Sequence, residues 1–598
     1  MNTLADDRDA PPTRPKVWRH IVGAVVAFPL LFVGWFIFDI RVLRPELMEV
    51  NVETTMDRIR WLGVPLAVVV LYFGGQWLKQ SHDADVRTQE WQRTTNALKA
   101  QQAALQTETG RREYVLEVIG MGVTVEKYRQ GKLWDVLQTG TPFSSIREQD
   151  PKKYPWQSTD KSGVSGGRAC DALENGARRS VEYWGVPSFY AGSPLLDPAE
   201  QPNELEPMAG MASGAETTGM PMHLLVTGPW QLSERPDQLL EQVFGFFDTH
   251  PDLPYVVVMT EDSMPTRDRL RLPGTPTLNN TGYYIPAMPD SSAVFVLARR
   301  ERVEPLRPYV WDDPNDNFVR ENLRMKYYEV KETVPRREKR GDFDLAPHDR
   351  LPTVAEWLSA AAAYARNPIF SRKDEHQTLP EFRPTTTPPK DWKPTPWFPI
   401  PWNSNQLRSF DSLPSLGYIH RPVFVKFEDE HGKPVKRRDA RQKILEQGWQ
   451  QALQTLPETE RKQGPARLIG AFGNNVEQQL ALEGTLHRYA EQGGPEIDTS
   501  KTAQFINTDR RLGNTGASTF FVQMALGVMG SYNGGGTSAA INLRDPSGAS
   551  IVFIRAPTDA RRKAQEGQHV FKHNGTPDID PANYAPPTVG DLIPETVK

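Results

Sequence analysis

Two short stretches of the chain contain residue types that could act as nucleophiles in acyl transfer. Cys170 is the single cysteine in 598 residues, and a thiolate attacks acyl groups when a neighbouring base activates it. Residues Gly163–Gly167 (GVSGG) match the Gly-x-Ser-x-Gly pattern of a nucleophile elbow. That elbow requires a hydrophobic strand directly before it, whereas the preceding residues here are PWQSTDKS. We therefore predict a flexible loop at Gly163–Gly167 and no elbow serine.

The sequence lacks the other common motifs of metal, cofactor and nucleic-acid chemistry. Its 11 histidines are scattered without a close His-x-x-x-His pair, and it has no phosphate-binding loop, so we predict no metal and no cofactor. A single cysteine cannot form an intramolecular disulfide or a thiolate metal cluster. The 70 Lys and Arg residues nearly balance the 74 Asp and Glu residues, which argues against a nucleic-acid-binding protein, because that class needs a basic surface.

Two apolar segments near the N-terminus predict a membrane anchor. Ile21–Phe38 and Trp61–Leu78 each run for 18 residues without a charged side chain. This is near the length at which a helix crosses a hydrocarbon core of about 30 Å. We predict two transmembrane helices within residues 1–80, with both chain ends in the cytoplasm. The polar residues 81–110 favour a helical stalk between the membrane and the body.

The rest of the chain repeats one order of strands and helices. In the first unit we predict strands at Tyr114–Gly122, His223–Thr227, Tyr255–Met259 and Ser292–Ala298, and helices at Gly131–Leu137, Arg168–Tyr183 and Pro236–Asp248. In the second unit we predict strands at Val423–Phe427, Arg467–Ala471, Thr502–Asn507 and Ile551–Arg555, and helices at Arg438–Leu456, Gln478–Gln492 and Ser518–Met529. Apolar strands that alternate with helices predict an α/β architecture with strands buried on both faces.

This repeat sets the predicted domain organisation. We expect a membrane anchor at 1–80, a stalk at 81–110, a first α/β half at 111–310, a linker at 311–415, a second α/β half at 416–560 and a polar tail at 561–598. The proline-rich part of the linker, Leu379–Trp402, predicts an extended connector, because proline fixes φ and removes a backbone donor. Its Trp392, Trp397 and Trp402 suggest that it packs against the body.

The body resembles a β-ketoacyl synthase, a member of the thiolase-like class. Val115–Phe143 is similar to the opening of that family, which has a strand, a Gly-x-Gly turn at Gly120 and Gly122, and a helix containing Leu-Trp-x-x-Leu. Gly513–Ala517 (GNTGA) resembles the family's Gly-His-Thr segment, and Asn533–Ser538 (NGGGTS) its glycine-rich turn. The resemblance implies a duplicated thiolase-like fold of layered sheets and helices, in agreement with the repeat.

The same resemblance implies that the catalytic site has been replaced. The family uses a cysteine with two histidines. The place of the Ala-His-Gly histidine is taken here by Phe472, and that of the Gly-His-Thr histidine by Asn514. Cys170 lies too early in the chain for the nucleophile and falls in the preceding helix. Without an imidazole and without donors for the oxyanion, no thiol would be activated. We therefore predict that the body is not an enzyme.

A second resemblance covers nearly the whole chain. Three features of the sequence are together similar to the type VI lipase adaptor family: the two N-terminal apolar segments, the block GMGVTVEKYRQGKLWDVL and the block ASTFFVQMALGVMGSYNGGGTSAAINLRDP. The resemblance implies an adaptor that binds a phospholipase effector in the cytoplasm and helps to load it on the spike protein of a type VI secretion system. It also implies a bacterial inner membrane for the anchor. It supplies no binding residue.

Two alternatives remain open on the sequence alone. The chain could be an active acyl-transfer enzyme of the condensing type with a relocated nucleophile, for which Cys170 is the only thiol. It could also be a structural membrane component of a secretion assembly.

Overall fold

The computed structural model describes most of the body and parts of the N-terminal region. The described residues are 16–38, 68–86, 115–154, 161–194, 208–269, 275–278, 284–311, 317–332, 351–366, 391–473 and 475–572. By its internal contacts the chain divides into two compact units, 1–108 and 109–598.

The first unit contains two helices, α1 at Val17–Phe38 and α2 at 68–86. They pack together at Gly23, where an added Cβ would lie 2.7 Å from the Phe73 ring. Among the described residues, no helix has the length and apolarity that crossing a bilayer requires. The two predicted transmembrane helices are thus not supported here, although both predicted segments are helical where they are described. Residues 61–67 and most of the predicted stalk lie outside the described part.

In its described residues, the first half of the body contains six strands, with four major helices between them. The strands are β1 Val115–Val125, β2 Tyr128–Arg129, β3 Gly185–Gly192, β4 Leu224–Leu232, β5 Tyr255–Asp262 and β6 Ser291–Ala298. The helices are α3 Gln130–Leu137, α4 Lys161–Ala177, α5 Ala209–Thr217 and α6 Asp237–Thr249, followed by the short α7 Met264–Arg269 and a 3₁₀ segment at Arg300–Tyr309. Each strand and helix predicted in this half overlaps one in the structure, and β2, β3, α5 and α7 are additional. The predicted helix Arg168–Tyr183 forms only in part, because α4 ends at Ala177.

The described parts of the segment between the halves contain three helices: α8 Asn317–Glu332, α9 Val354–Ala365 and α10 Ser404–Ser412. The strands of the second half are β7 Gly417–His420, β8 Val423–Lys426, β9 Pro465–Ala471, β10 Phe505–Asn507, β11 Thr537–Asn542 and β12 Gly548–Arg555. Its helices are α11 Arg438–Leu453, α12 Glu458–Gln463, α13 Val476–Glu491, α14 Thr508–Arg511, α15 Thr519–Gly534 and α16 Asp559–Ala564, with a 3₁₀ turn at Gly516–Ser518.

The order of the strands is the same in both halves. Outward from the centre, the first half runs β1-β6-β5-β3-β4 and the second runs β7-β12-β11-β9-β10. In each half the three outer strands are parallel to one another, and the two inner pairings are antiparallel. Strands β1 and β7 pair antiparallel and join the halves into one sheet. The predicted duplication of a mixed α/β unit is therefore confirmed.

The Gly-x-Gly pair does not form the predicted turn. Gly120 and Gly122 both lie within β1, under helix α4. A Cβ added to Gly122 would stand 1.9 Å from the carbonyl oxygen of Ala172, so only glycine allows the helix to approach the strand this closely.

His420 lies at the junction of the halves, in register with Val115 of β1. Its Nδ1 is 2.7 Å from the carbonyl oxygen of Thr455. A carbonyl oxygen can only accept, so Nδ1 carries a proton. Burial, with a smaller contribution from the charge of Arg555, lowers the pKa of His420 to about 3.

We expect the folded body to lose stability as the pH falls below about 6.5, the ordinary histidine pKa. Below that pH the unfolded chain binds a proton that folded His420 does not bind until about pH 3. The loss should approach about 1.4 kcal/mol per pH unit. Buried His223, with its pKa lowered to about 4 by burial, adds to the loss in the same direction.

Urea unfolding at about pH 7 and about pH 5 measures this loss. The variant His420→Gln should show a smaller loss than the wild type, with the remainder due to His223. An equal loss in the variant would contradict the assignment to His420.

The proline-rich connector is packed as predicted from its tryptophans. Its described part, 391–402, contains neither helix nor strand. Trp397 and Trp402 are buried, and with Phe398 their rings surround Trp184, at centroid distances of 5.6–6.0 Å. This aromatic cluster fixes the linker to the first half of the body.

The start of the predicted polar tail is also part of the folded body. Gly131 donates its backbone N–H to the carbonyl oxygen of Phe571, and Arg179 donates to that of Val570 at 2.9 Å. The ring of Phe571 packs edge-on against Tyr532. The tail beyond residue 572 lies outside the described residues.

Arginine side chains donate hydrogen bonds to carbonyl oxygens at the C-terminal ends of helices α6 and α15. At the end of α6, Arg302 donates to the carbonyl oxygens of Phe247 and His250, at 3.0 and 2.6 Å. At the end of α15, Arg467 donates to the carbonyl oxygen of Gly535 at 2.8 Å. The last carbonyls of a helix lack hydrogen-bond partners within the helix and carry partial negative charge. A guanidinium placed there donates hydrogen bonds to these carbonyls, and its positive charge interacts favourably with their partial negative charge.

Candidate functional site

The ends of the parallel strands place charged residues from both halves next to one another. Glu234 follows β4, Asp262 ends β5 and Arg267 lies in α7 just after it. Asp509 follows β10, and Arg544 follows β11. We call these five residues the ion-pair cluster. Because the carboxyl ends of parallel strands are where α/β proteins build their sites, this position is the natural candidate.

Two members of the cluster occupy equivalent positions in the duplicated halves. Strands β4 and β10 correspond in order and in pairing. Glu234 lies two residues after the end of β4, and Asp509 lies two residues after the end of β10. Both carboxylates approach the guanidinium of Arg544, with nitrogen–oxygen distances of 3.6 and 3.7 Å. Arg544 therefore links the two halves across their pseudo-symmetry.

Arg267 holds the carboxylates of the first half. It donates to Asp262 through Nε at 2.9 Å and through Nη2 at 2.7 Å, and to Glu234 at 2.6 Å. Burial alone would lower the pKa of Arg267, but the hydrogen bonds and charges of Asp262 and Glu234 outweigh it and raise that pKa overall. The guanidinium is thus permanently charged and is committed to these two acids.

Carboxylates of the chain itself occupy backbone N–H groups at the site. Asp509 accepts from the N–H groups of Phe472 and Gly473, the latter at 2.9 Å. Asp262 accepts from the N–H of Ala517 at 2.8 Å. Backbone N–H groups at strand ends and helix starts are the usual donors for a substrate oxyanion. Here these donors are already satisfied by internal anions.

A second ion pair crosses between the halves beside the cluster. Arg235 pairs with Asp237 at 3.2 Å in the first half and with Asp545 in the second. Arg235 thus links the turn after β4 to the turn after β11. Side chains from both halves therefore lie over the carboxyl ends of these strands.

The two positions predicted from the missing histidines flank this cluster. The ring of Phe472 is buried, 6.4 Å from that of Phe505, while its backbone N–H binds Asp509. Asn514 accepts from the N–H of Gly516 through Oδ1 at 2.8 Å, which shapes the turn before α15. Neither side chain has a basic nitrogen that could accept a proton. That they replace catalytic histidines stays a prediction.

Cys170 lies on α4 and is not a member of the cluster. Its thiol packs towards α5, with Sγ 3.4 Å from the place where a Cβ on Gly214 would be. Burial, then the charges of Glu261, Asp171 and Glu174, raise the pKa of Cys170 to about 11. A thiol with this pKa is almost fully protonated at neutral pH and is a weak nucleophile.

We expect the thiol of Cys170 to react slowly with alkylating agents. A pKa of about 11 gives a thiolate fraction roughly 100-fold below that of a thiol with a pKa near 9. Iodoacetamide labelling of the folded chain at neutral pH, followed by mass spectrometry, should therefore be slow. The same chain unfolded in concentrated urea is the control and should label fast. Fast labelling of the folded chain would show an activated thiol and would favour the acyl-transfer alternative.

The predicted loop at Gly163–Gly167 is wrong. These residues form the first turns of α4, and Ser165 is buried there. Next to it, Arg168 forms a buried ion pair with Asp290 across the sheet. A serine inside a helix is not on a strand-to-helix elbow.

The arrangement of the cluster suits charge pairing and not covalent catalysis. Among the described residues it contains no cysteine and no histidine, and its carboxylates are paired with arginines or backbone donors. No group of three or more His, Cys, Asp or Glu side chains that could hold a metal ion occurs within the described ranges. The sequence reasoning missed the cluster, because its members come from turns that are about 300 residues apart in the chain.

Comparison with known protein families assigns the chain. The N-terminal domain profile of the type VI lipase adapter protein Tla3 matches residues 114–281, and the C-terminal domain profile matches residues 416–556. The two matches cover one half of the body each and together more than half of the chain. The chain belongs to the Tla3 family of type VI lipase adapters. The family expected from the sequence blocks is confirmed.

Solved structures similar to this Tla3-family chain include several ketosynthases. A ketosynthase domain of oxazolomycin biosynthesis from Streptomyces albus is 9% identical, with 75% of this chain and 96% of that chain covered and a TM-score of 0.35. The 3-oxoacyl-[acyl-carrier-protein] synthase III of Aquifex aeolicus is 9% identical, with 74% and 99% covered and a TM-score of 0.30. At these scores the likeness adds nothing to the family assignment.

Proposed function

We propose that this Tla3-family protein is an adaptor that binds a phospholipase effector in the cytoplasm and helps to load it on the spike protein of a type VI secretion system. The match of both body halves to the lipase adapter family is the observation that carries the proposal. The nearly balanced charge of the chain fits a protein partner better than a nucleic acid.

We also propose that the body is a catalytically inactive, degenerate β-ketoacyl synthase scaffold. The equal strand order of the two halves supports a thiolase-like duplication. The phenylalanine and asparagine at positions 472 and 514 support the loss of both histidines. The ion-pair cluster adds a second support, because Asp509 and Asp262 already occupy backbone donors that an oxyanion would need.

The adaptor proposal is tested by co-expression with a type VI phospholipase effector from the same organism. The affinity-tagged full chain should retain the untagged lipase through size exclusion, as a complex with an interface of ordinary size, about 800 Å² per partner. An unrelated secreted lipase expressed in the same way is the control and should not be retained. Loss of the effector lipase during purification would contradict the adaptor function.

Anchoring in the bacterial inner membrane through Ile21–Phe38 and Trp61–Leu78 remains a proposal from the sequence. Alkaline carbonate extraction of cells that produce the full chain should leave it in the membrane pellet. A chain without residues 1–80 should be released to the supernatant. Release of the full chain would contradict the anchor and leave the adaptor proposal intact.

A further inference from the structure

The turn between β8 and α11 has a high density of positive charge on its surface. Residues 433–443 (KPVKRRDARQK) contain six basic side chains and one acidic side chain, Asp439. In the hairpin before α11, Glu428 pairs with Pro434, and Val435 donates its backbone N–H to the carbonyl oxygen of Phe427 at 2.8 Å. The other leg of this hairpin brings in a further basic side chain, from β8. We define the basic patch as the following exposed residues: Lys426, Lys433, Lys436, Arg437, Arg438 and Lys443.

Most members of the basic patch have no carboxylate partner. Arg437 pairs with Asp439 at 2.8 Å, and the other five members form no ion pair among the described residues. By contrast, Lys462 and Lys501, two exposed lysines elsewhere in the second half, pair with nearby acids at 2.7 and 3.0 Å. The positive charge of the patch is therefore largely uncompensated by the part of the chain that the structure describes.

The acidic residues at the tip of the same hairpin do not pair with the patch. Asp429 accepts from the backbone N–H groups of His431 and Lys433, both at 2.9 Å, and so shapes the turn. Glu428 and Glu430 are exposed at the tip, and within the described residues neither forms an ion pair with a member of the patch. The hairpin thus has an acidic tip and a separate basic base.

The stability of the fold does not account for these charges. Arg437 is the N-cap residue of α11 without a side-chain cap hydrogen bond, and Arg438 is the first residue of this helix. The start of a helix carries partial positive charge, so cations placed there are unfavourable. Lys426 and Lys436 lie on adjoining legs of one hairpin, where like charges repel. Because the patch costs stability and is exposed, it favours a role in binding an anionic partner.

Two observations point to a lipid surface as that partner. Phe424 is 36% exposed and lies on the same face of β8 as Lys426, because alternate residues of a strand share a face. Aromatic rings are enriched at the level of the lipid headgroups, where basic side chains also lie. In addition, Val115 of β1 is in register with His420, just before β8 in the chain. The chain therefore enters the body from its N-terminal region close to the strand that carries part of the patch.

We propose that the basic patch is a membrane-contact surface of the body that binds anionic lipid headgroups. Clusters of lysine and arginine near an anionic bilayer are attracted to its surface, and each charge adds to the attraction. Flexible lysine side chains suit such a surface, because they act as point charges and need no fixed geometry of the partner. The proposal goes beyond binding of the lipase and does not depend on it. It uses the proposed anchor only for its location, since the contact itself needs no membrane-spanning helix.

Acetylation of surface lysines, read by mass spectrometry, tests this contact in the full-length chain reconstituted with vesicles. The vesicles are phosphatidylcholine alone or an equal mixture of phosphatidylcholine and phosphatidylglycerol. We expect the four lysines of the patch to react about threefold or more slowly with the anionic vesicles than with the neutral ones. Lys462 and Lys501 lie outside the patch and should react equally with both. The protection should disappear in about 1 M salt, where the Debye length is about 3 Å.

The double variant Arg437→Gln/Arg438→Gln removes two charges of the patch and leaves every labelled lysine in place. It should lose most of the protection that the anionic vesicles give to the patch lysines. Arg408→Gln/Arg510→Gln is the matched control, because both arginines are exposed and lie outside the patch. It should be protected as the wild type is.

Three results would each overturn the proposal. They are equal labelling of the patch lysines with both kinds of vesicle, unchanged protection in Arg437→Gln/Arg438→Gln, and protection by the purified lipase effector in place of anionic lipid. The last result would assign the patch to a protein partner. Retention of the lipase is measured separately without vesicles, and loss of the lipase there would leave the lipid contact intact.

Discussion

Replacement of Arg511 by methionine should lower the free energy of unfolding of the body by about 3–5 kcal/mol. The side chain is 1% exposed and reaches from α14 of the second half to the end of α3 in the first half. It donates to the carbonyl oxygens of Leu137 and Thr139 at 3.1 and 2.8 Å, and to Ser144 Oγ at 2.8 Å. It also donates to the carbonyl oxygens of Val136 and Thr141. Without it the buried carbonyl of Leu137 and the partly buried acceptors around it lose this partner at the end of a helix.

The neighbouring Arg510→Met is the matched control for this variant. Arg510 lies in the same short helix but is exposed, so its replacement should change stability by less than about 0.5 kcal/mol. Urea unfolding followed by tryptophan fluorescence compares the two variants with the wild type. An unchanged midpoint for Arg511→Met would show that Arg511 does not hold the halves together.

A similar loss of about 3–5 kcal/mol should follow replacement of Trp184 by alanine. The Trp184 ring contacts the rings of Tyr255, Trp397, Phe398 and Trp402, at centroid distances of 5.0–6.0 Å. Its removal leaves a cavity in the core and frees the connector, because its indole N–H also binds the connector backbone. The connector should therefore become sensitive to proteases.

Limited proteolysis with mass spectrometry shows where the Trp184→Ala variant is cut. We expect new cuts within residues 391–402, which the wild type should resist under the same conditions. Phe143→Ala removes an aromatic ring that is 55% exposed and is the control, expected to give the wild-type pattern. Equal resistance of Trp184→Ala and wild type would mean that the aromatic cluster does not hold the connector.

Long apolar strands and helices could be predicted from the sequence, whereas strands made of small residues could not. Strand β5 (YVVVMTED) and strand β12 (GASIVFIR) have runs of β-branched residues that indicate buried strands. Strand β3 (GVPSFYAG) contains glycines and a proline, and β11 (TSAAIN) contains two alanines, so neither has a strand pattern. Their pairing with neighbouring strands overrides these weak local preferences.

The predicted opening strand of the second half lies later in the chain than the strand that opens this half in the structure. The prediction was Val423–Phe427, which corresponds to β8, but the strand that pairs with β1 is β7 at Gly417–His420. Buried and exposed residues alternate in β8 (VFVK), which is typical of a strand, whereas β7 (GYIH) is equally short and shows no such alternation. Pairing across the junction, and not local pattern, decides which of the two is central.

The residues of the candidate site could be predicted from local sequence pattern even less well than the strands. Phe472 and Asn514 could be singled out by resemblance, because each sits in a segment with recognisable neighbours. Glu234 and Arg544 have no such setting, since they are ordinary charged residues in turns. Only the equal order of strands in both halves shows that Glu234 and Asp509 are equivalent and that Arg544 lies between them.

Native mass spectrometry of the full chain, mixed with a type VI phospholipase effector from the same organism and an acyl thioester, tests the central claim most directly. One spectrum reports both binding of the lipase and acyl transfer to the chain. We predict a peak at the summed mass of the unmodified chain and the lipase. A spectrum with free lipase, and with the chain heavier by one acyl group, would contradict the account and establish an acyl-transfer enzyme instead.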